Sequence, residues 1–384
     1  MSIPQFDWEA CINLMLQAMQ GAQLGLLRLL SWLHLARDID GQPAWPFALR
    51  LSGEVLLIDH NVVRALVSAL GCLVAALLLL ALAVAWRRRR WLLLGLAVAL
   101  VLLAPWPDQA LLTTAATPTS FHTSPERFSA AGIVRGEQLY RQQCIACHGA
   151  DGRGNTPLGL SLEVAPPNLS SGLLWRRFDG DLYWSLRHGK GGMPAFEAST
   201  SPADRWALLD YLKANAAGVG VTDTGSWPRP VALPDMALDC RASTVTRLDQ
   251  WQGQRIRLVI GGTAPLPSED PRLQSVLLGG QASGAVGAIA CASHEATALR
   301  AIAILTGVPE ERLAGTELLA DRDGWLRARN SSGQWSQQDM LCRSPLASGS
   351  PVAQVAQVGG SGLDQLIAAM DEEPVRFIKG GFVH

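Results

Sequence analysis

From Ala65 to Trp86 the chain runs for 22 residues without a charged side chain, built mostly of Leu, Ala and Val. As a helix such a run extends about 33 Å, enough to cross a hydrocarbon core of about 30 Å. Arg87, Arg88, Arg89 and Arg90 follow at once, and Trp91 to Trp106 is again uncharged. This second run is near the lower limit for a span; Pro105 and Pro107 close it, and Trp91 and Trp106 suit interfacial anchors. A buried hairpin in a soluble protein has no use for four adjacent arginines. A membrane hairpin does, because Lys and Arg in short loops stay on the cytoplasmic side. The expectation is a transmembrane helical hairpin over residues 65–112 with membrane lipid as its partner. Everything after Trp106 would then face the periplasm of a bacterial inner membrane.

The rest of the composition agrees. Hydrophobic residues make up 48% of the 384 and charged residues 17%, against about 25% charged in a typical soluble protein. Thirty-two basic and 33 acidic residues nearly cancel, so no global field favours nucleic acid as a partner. Ample apolar surface excludes disorder throughout. The N-terminal segment, 1–64, has two readings. Cys11 to Ala36 carries one charge, Arg28, and Asn13, Gln17, Gln20, Arg28 and Ser31 draw a polar stripe along a helix. An amphipathic interfacial helix and a third span packed on its neighbours both fit. No basic region precedes an apolar core with a small-residue cleavage site, so a removed signal peptide is not expected.

Residues 113–128, rich in Thr, Pro and Ser, read as a linker. Beyond them comes Cys144-Ile145-Ala146-Cys147-His148. Two thiols three residues apart can form thioethers to the two vinyl groups of one haem, and the adjacent imidazole can reach its iron. A dithiol redox motif shares the Cys spacing but needs no His, and zinc would require a second ligand pair nearby. Ala130 to Gln143 reads as a helix in which Gly136 permits close helix approach. Gly149, Gly152 and Gly154 follow the motif, where backbone must bend beside a large planar ligand. Farther on, Arg187 to Phe196 places Met193 in a glycine-rich loop, which can offer a thioether to the far side of a haem. Ser201-Pro202-Ala203-Asp204 then has the cap, the proline and the acid that open a helix, which carries Trp206, Leu208, Leu209 and Tyr211.

Together, Cys144 to His148, Pro166-Pro167-Asn168-Leu169, Gly192 to Phe196 and the helix around Tyr211 resemble a class I cytochrome c over residues 129–217. The resemblance implies an all-α domain whose first and last helices cross. It further implies one covalent haem c on Cys144 and Cys147, His148 as proximal ligand, Met193 as distal ligand, and Pro167 buttressing the proximal histidine. His188 is the competing distal ligand. A bis-histidine site would lower the potential and a His/Met site raise it; Met193 precedes the Pro-Ala-Phe that the family favours. Charge across this stretch is balanced, so steering toward a partner should be modest.

A second linker is expected over 218–233, with Gly225, Pro228 and Pro230. Thereafter short strands appear: Arg255 to Ile260, Ala285 to Ala290, and Glu317 to Ala320 with Trp325 to Arg329 flanking an Asp321-Arg322-Asp323-Gly324 turn. A helix is expected from Glu295 to Thr306, ended by Gly307 and Pro309. The order resembles an α/β thioredoxin-like domain over 234–374, with a tail at 375–384. Such domains carry a reactive Cys pair after their first central strand, whereas Gly261-Gly262-Thr263-Ala264-Pro265 occupies that place here. Without an attacking thiolate, thiol–disulfide exchange is in doubt. Two of Cys240, Cys291 and Cys342 can pair as a periplasmic disulfide, leaving one over.

The membrane part, with its Pro118-Thr119-Ser120-Phe121 exit, is also similar to the last spans of copper-resistance membrane proteins fused to a cytochrome. In that case His34, His60 and His122 could ligate copper or a b-type haem, although unpaired surface histidines are commoner. The expected protein is multidomain: a transmembrane hairpin, a cytochrome c domain and a thioredoxin-like domain. It would be a membrane-anchored periplasmic electron carrier serving redox partner proteins of a respiratory or periplasmic chain. The alternatives are a copper- or thiol-handling redox protein and a haem-based sensor.

Overall fold

The computed structural model describes residues 8–53, 55–56, 59–171, 177–227, 229–241, 243–262, 265–279, 289–331, 333–342 and 361–375. The chain divides into two compact units, one ending at Pro118 and the other beginning at Thr119.

In the first unit, α1 (Trp8–Trp32) buries Ile12, Leu16 and Leu27 along one side. Gln23 is buried with them, and its side-chain oxygen accepts the Leu51 amide at 2.7 Å. A short hairpin of β1 (Asp38–Ile39) and β2 (Gln42–Pro43) follows, then β3 (Leu49–Leu51). Helix α2 (His60–Ala85) starts on an Asp59 cap that accepts the Asn61 amide. A 3-10 turn at Arg87–Arg89 leads into α3 (Arg90–Leu103), which packs against α2. After α4 (Gln109–Leu112), β4 (Thr113–Ala115) returns to pair antiparallel with β3.

Among the described residues α2 is the one helix both long and apolar enough to cross a membrane. The expected second span falls short. With 14 residues α3 is about 21 Å long. Pro105 forces the preceding Ala104 out of helical backbone, to φ −62° and ψ 143°, and the helix stops at Leu103.

The second unit opens with a correction to the linker expected over 113–128. Residues 113–115 are strand, and Thr119, Ser120 and His122 are buried. The Thr119 hydroxyl donates to the Gly180 carbonyl at 2.6 Å, and Ser120 bonds the Asp181 carboxylate. Among the described residues five helices come next: α5 (Ala130–Gln143), α6 (Ile145–His148), α7 (Pro157–Ser161), α8 (Asp179–His188) and α9 (Pro202–Thr224). Helix α5 packs across α9 at Gly136, where a Cβ would run into the Ala207 carbonyl. Ser201 and Asp204 form the reciprocal cap that the sequence announces.

Helix α9 does not end at residue 217. It runs through the first part of the expected 218–233 linker to Thr224, where Gly225 takes a left-handed φ of 76°. Trp227, Val231 and Leu233 are buried beyond it. The sheet that follows comprises β5 (Val231–Ala232), β6 (Asp239–Cys240), β7 (Arg255–Ile260), β8 (Leu273–Leu278) and β9 (Cys291–Ser293). After α10 (Ala298–Thr306) come β10 (Glu317–Ala320) and β11 (Trp325–Asn330), then α11 (Gly362–Glu372). The strand order is β5-β11-β10-β7-β8-β9-β6, with β7, β8 and β9 mutually parallel and the other pairs antiparallel. The Asp321–Gly324 turn joins β10 to β11 as expected, its Asp321 carboxylate accepting the Asp323 and Trp325 amides. Of the expected strand at Ala285 to Ala290, residues 285–288 lie outside the described residues, as do Thr263, Ala264 and the tail 376–384. Cys240 and Cys291 stand opposite each other on β6 and β9 and are disulfide-bonded, while Cys342 is a buried free thiol.

No seam separates the helical part from the sheet. Ala130, Ile133, Ala214 and Val221 share one apolar cluster with Leu258, Val276, Ile302 and Leu305. Gly218 lies against the Ile304 carbonyl of α10, too close for a Cβ, and the Trp227 indole donates to the Leu305 carbonyl at 3.0 Å. Asp235 exchanges backbone hydrogen bonds with Phe128 and Ala130 at 2.9 and 3.0 Å. The expected break between residues 217 and 234 is therefore a packed junction, because apolar residues are interleaved with its glycines and prolines.

Candidate functional site

The Cys-Ile-Ala-Cys-His segment forms a single helical turn at the end of α5. The Cys144 amide donates to the Tyr140 carbonyl at 2.9 Å, and the His148 amide donates to the Cys144 carbonyl at 2.9 Å. Both thiols and the imidazole thus belong to one rigid turn. Thr156 locks it from outside: its hydroxyl donates to the Ala146 carbonyl at 2.7 Å and accepts the Gly159 amide that starts α7. The Tyr140 hydroxyl donates to the Gly149 carbonyl at 2.7 Å. Gly154 completes the bend with φ 76°, donating its amide to the His148 carbonyl at 2.8 Å. A Cβ there would sit 2.6 Å from the Pro166 carbonyl oxygen, so only glycine lets the 164–167 loop approach the histidine turn.

His148 is 8% exposed. Burial lowers its pKa, which the Pro167 carbonyl partly offsets, and the neutral imidazole is the form that ligates a metal. Its Nδ1 is buried without a hydrogen bond of good geometry, although the Pro167 carbonyl is near enough to favour the proton. That places Pro167 where the resemblance expects a buttress. Burial pushes the Cys144 thiol up to about 11. A dithiol redox motif needs the opposite, a depressed thiolate.

Met193 sits half-buried in the loop after α8. Lys190 and Met193 bond each other's backbone at 3.1 and 3.2 Å, and Phe196 donates to the Leu186 carbonyl at 3.0 Å. Gly189, at φ 77°, lies against the Met193 carbonyl with no room for a side chain. The Met193 and His148 loops are neighbours through the 164–167 segment, because a Cβ on Gly191 would lie 3.5 Å from Val164. His188, the competing ligand, is exposed and stacked on Trp184, ring centroids 3.7 Å apart.

These residues fit a large apolar group that carries iron. Two thioether-forming sulfurs and a buried imidazole share one turn, a thioether sulfur lies in the adjoining loop, and Leu158, Leu160 and Val164 between them are 49%, 65% and 57% exposed. A separate cleft of about 700 Å³ between α5, α9 and α10 contains none of the four ligand candidates; Glu137, Arg141, Tyr211 and Arg300 are among its walls. Among the described residues no group of three or more His, Cys, Asp or Glu is arranged to hold a metal ion, so His34, His60 and His122 do not form such a site.

Sequence reasoning did not single out Thr156, the Thr119–Ser120 clasp on α8, or the Glu137–Arg300 ion pair joining α5 to α10, in which Nε donates at 2.8 Å. The last two join residues 61 and 163 positions apart, and Thr156 reaches back ten residues to Ala146, so none has a local signature.

Comparison with known proteins bears on this same stretch. Residues 131–212 match the family of cytochrome c oxidase, cbb3-type, subunit III. The chain is 30% identical over 87 residues to the cbb3-type cytochrome c oxidase subunit FixP of Bradyrhizobium diazoefficiens, covering 22% of this chain. The match spans only 28% of that relative's length. A chain of the Kuenenia stuttgartiensis reducing HAO-like protein complex Kustc0457/Kustc0458 is 22% identical over 30% of this chain and 58% of that one. Its TM-score of 0.21 is too low to bear on the fold. Both comparisons support a c-type cytochrome domain within this stretch.

Proposed function

We propose that this chain is a membrane-anchored cytochrome with one haem, held by Cys144, Cys147, His148 and Met193, that relays electrons to or from a respiratory partner on the periplasmic face. The observation that carries the site is the turn Cys144–His148, with its buried imidazole and its two cysteines one turn apart. When bound, haem supplies a one-electron Fe(II)/Fe(III) couple. The protein's part is to hold that group still: α5 and α9 brace the turn, Thr156 and Gly154 fix its outer side, and Pro167 orients the imidazole. Such rigidity suits a carrier, whose ligands should not rearrange as charge changes.

Anchoring is supported by α2, by the arginine turn and by the outward leucines of α2 and α3. We read the sheet as a thioredoxin-like docking module. The run β8-β7-β10-β11, with one parallel and two antiparallel pairs, supports that reading. Its disulfide lies on β6 and β9 at the far edge and not after β7, which favours docking over thiol exchange.

The test is direct. Haem should stay with the wild-type chain on denaturing gels, and Cys144→Ala with Cys147→Ala should abolish the stain. Haem extracted by acidified acetone from the wild type would overturn the assignment. The oxidised protein should show a long-wavelength sulfur-to-iron band that Met193→Ala removes, with a lowered potential, while His188→Ala changes little. The reverse would move the distal ligand to His188. A periplasm-active reporter at the C-terminus should be active, and one inserted within Arg87–Arg90 silent.

A further inference from the structure

The far end of the loop that carries Met193 is tied to α8 by the Phe196 and Glu197 amides, which donate to the Leu186 and Arg187 carbonyls at 3.0 and 3.2 Å, and is fastened further by one buried side chain. The Thr200 amide and hydroxyl both donate to the Phe196 carbonyl, at 3.0 and 2.6 Å. Thr200 is held in turn from the first turn of α9, where Arg205 Nη1 donates to its carbonyl at 2.6 Å and to its hydroxyl oxygen at 3.3 Å. Arg205 is 2% exposed. Its guanidinium lies over the Tyr183 ring of α8, 5.0 Å from the centroid, and Tyr183 is itself stacked on Trp206. The two acceptors on Nη1 and the aromatic face offset part of the cost of burying this guanidinium. Its position is therefore fixed by α8, by α9 and by the loop end together.

A second clasp closes the same loop at the surface, Arg187 to Glu197 at 2.5 Å, with half of the Glu197 side chain exposed. Exposed pairs contribute little. Of the two side-chain clasps, the buried one is the better able to restrain the loop, adding to the backbone bonds from Phe196 and Glu197 to α8.

We infer that Arg205 is a positioning residue for Met193: it pins the Phe196–Thr200 end of the loop to α8 and α9, so that the thioether is held ready independently of the iron. The inference rests on Met193 as the distal ligand. It separates from that reading because the clasp acts on the loop backbone, which has its own observable.

The experiment uses the full-length, haem-loaded protein in detergent. Amide hydrogen exchange across Met193–Phe196 and the rate of carbon monoxide binding to the reduced form are measured for wild type, Arg205→Gln, Arg205→Lys, Thr200→Val and Met193→Ala. Arg205→Gln should raise both exchange and carbon monoxide binding about tenfold, the effect of losing one charge-assisted hydrogen bond from a local opening equilibrium. Arg205→Lys should recover part of the loss, and Thr200→Val should move both readouts in the same direction as Arg205→Gln. Wild-type exchange and binding rates in Thr200→Val together with Arg205→Gln would overturn the role of Arg205. If Arg205→Gln does not accumulate, Thr200→Val alone decides. Met193→Ala opening the iron while both clasp variants behave as wild type defeats the clasp alone. A Met193→Ala that leaves carbon monoxide binding unchanged defeats the distal assignment and this inference with it.

Discussion

Two helix pairs in this protein pack along small residues, and they sort their remaining side chains in opposite senses. Where α5 meets α9, Gly136 admits the backbone of α9, and Leu139, Tyr140, Trp206, Leu208 and Leu209 are buried around it. Charged Arg135 and Arg141 lie at the surface. In α2 and α3 the buried positions are mostly alanine, Ala69, Ala76, Ala83 and Ala97, while Leu77, Leu78, Val84, Leu102 and Leu103 face outward. In water each outward leucine would forgo about 1.5–3 kcal/mol of burial. In lipid nothing is forgone, and helices associate through small side chains. The sorting in α5 and α9 is that of helices in water, and the sorting in α2 and α3 is what the proposed membrane anchor requires.

The sharpest way to break that contrast is at the glycines. Gly136→Ala drives a Cβ into the Ala207 carbonyl, which is backbone and cannot swing aside. The expected cost is about 3 kcal/mol or more, read as loss of haem-stained protein and a fall in Tm. Gly71 in α2 and Gly95 in α3 have nothing within 4 Å of that position. Alanine at either should be neutral or better by up to about 1 kcal/mol. Equal damage at Gly71 and Gly136 would refute the contrast.

Next in size is Leu77→Arg on the outer side of α2. A mid-span arginine costs about 3 kcal/mol on insertion scales, so less chain should survive an alkaline wash of the membrane pellet. Arg135→Leu on α5 breaks an exposed 3.0 Å pair with Asp204 and should cost about 1 kcal/mol or less. A Leu77→Arg chain that stays membrane-bound in wild-type amount would break the lipid side of the comparison. Ala76→Leu, on the buried side of α2, should cost about 1–3 kcal/mol by overpacking, seen as weakened resistance to proteolysis.

A comparably small effect sharpens the aqueous side. The Arg300 guanidinium, bonded to Glu137 and close by, holds that carboxyl below its ordinary value of 4.5. A depressed carboxyl contributes stability that is fully present above the unfolded value and lost as pH falls through the folded one. Wild type should therefore lose stability below pH 4.5 more steeply than Arg300→Gln. The variant itself should be weaker by about 1 kcal/mol at neutral pH, discounted for partial exposure, with thermal melts from pH 3 to 7 as the measurement.

Structure is legible in the sequence wherever the chemistry that makes it is local. Helix α5 spans the expected Ala130 to Gln143, the Ser201 cap closes on Asp204, and the Asp321–Gly324 turn sits between its two strands. The stop of α3 at Leu103 was available too, since Pro105 restricts Ala104, but the uncharged run to Trp106 masked it. What stayed hidden depends on distant partners. Gly218 and Gly220 count against a helix by propensity, and only the Ile304 carbonyl explains why α9 keeps Gly218. Cys240 and Cys291 are 51 residues apart, and β6–β9 register alone pairs them. Arg205 looks like any surface arginine until the loop and Tyr183 are folded around it.

The apolar cluster shared by the helices and the sheet has a consequence for manufacture. Ala130, Ile133, Ala214 and Val221 leave the ribosome well before Ile302 and Leu305, which cover them. At about 5–20 residues per second, the stretch between α9 and α10 takes several seconds to make. Throughout that interval α5 and α9 have an uncovered apolar flank, open to proteases and to neighbouring nascent chains. A gene cut between α9 and the sheet would make that interval permanent. Unlike a module on a tether, the helical part cannot be lifted from its chain by recombination without carrying the sheet along.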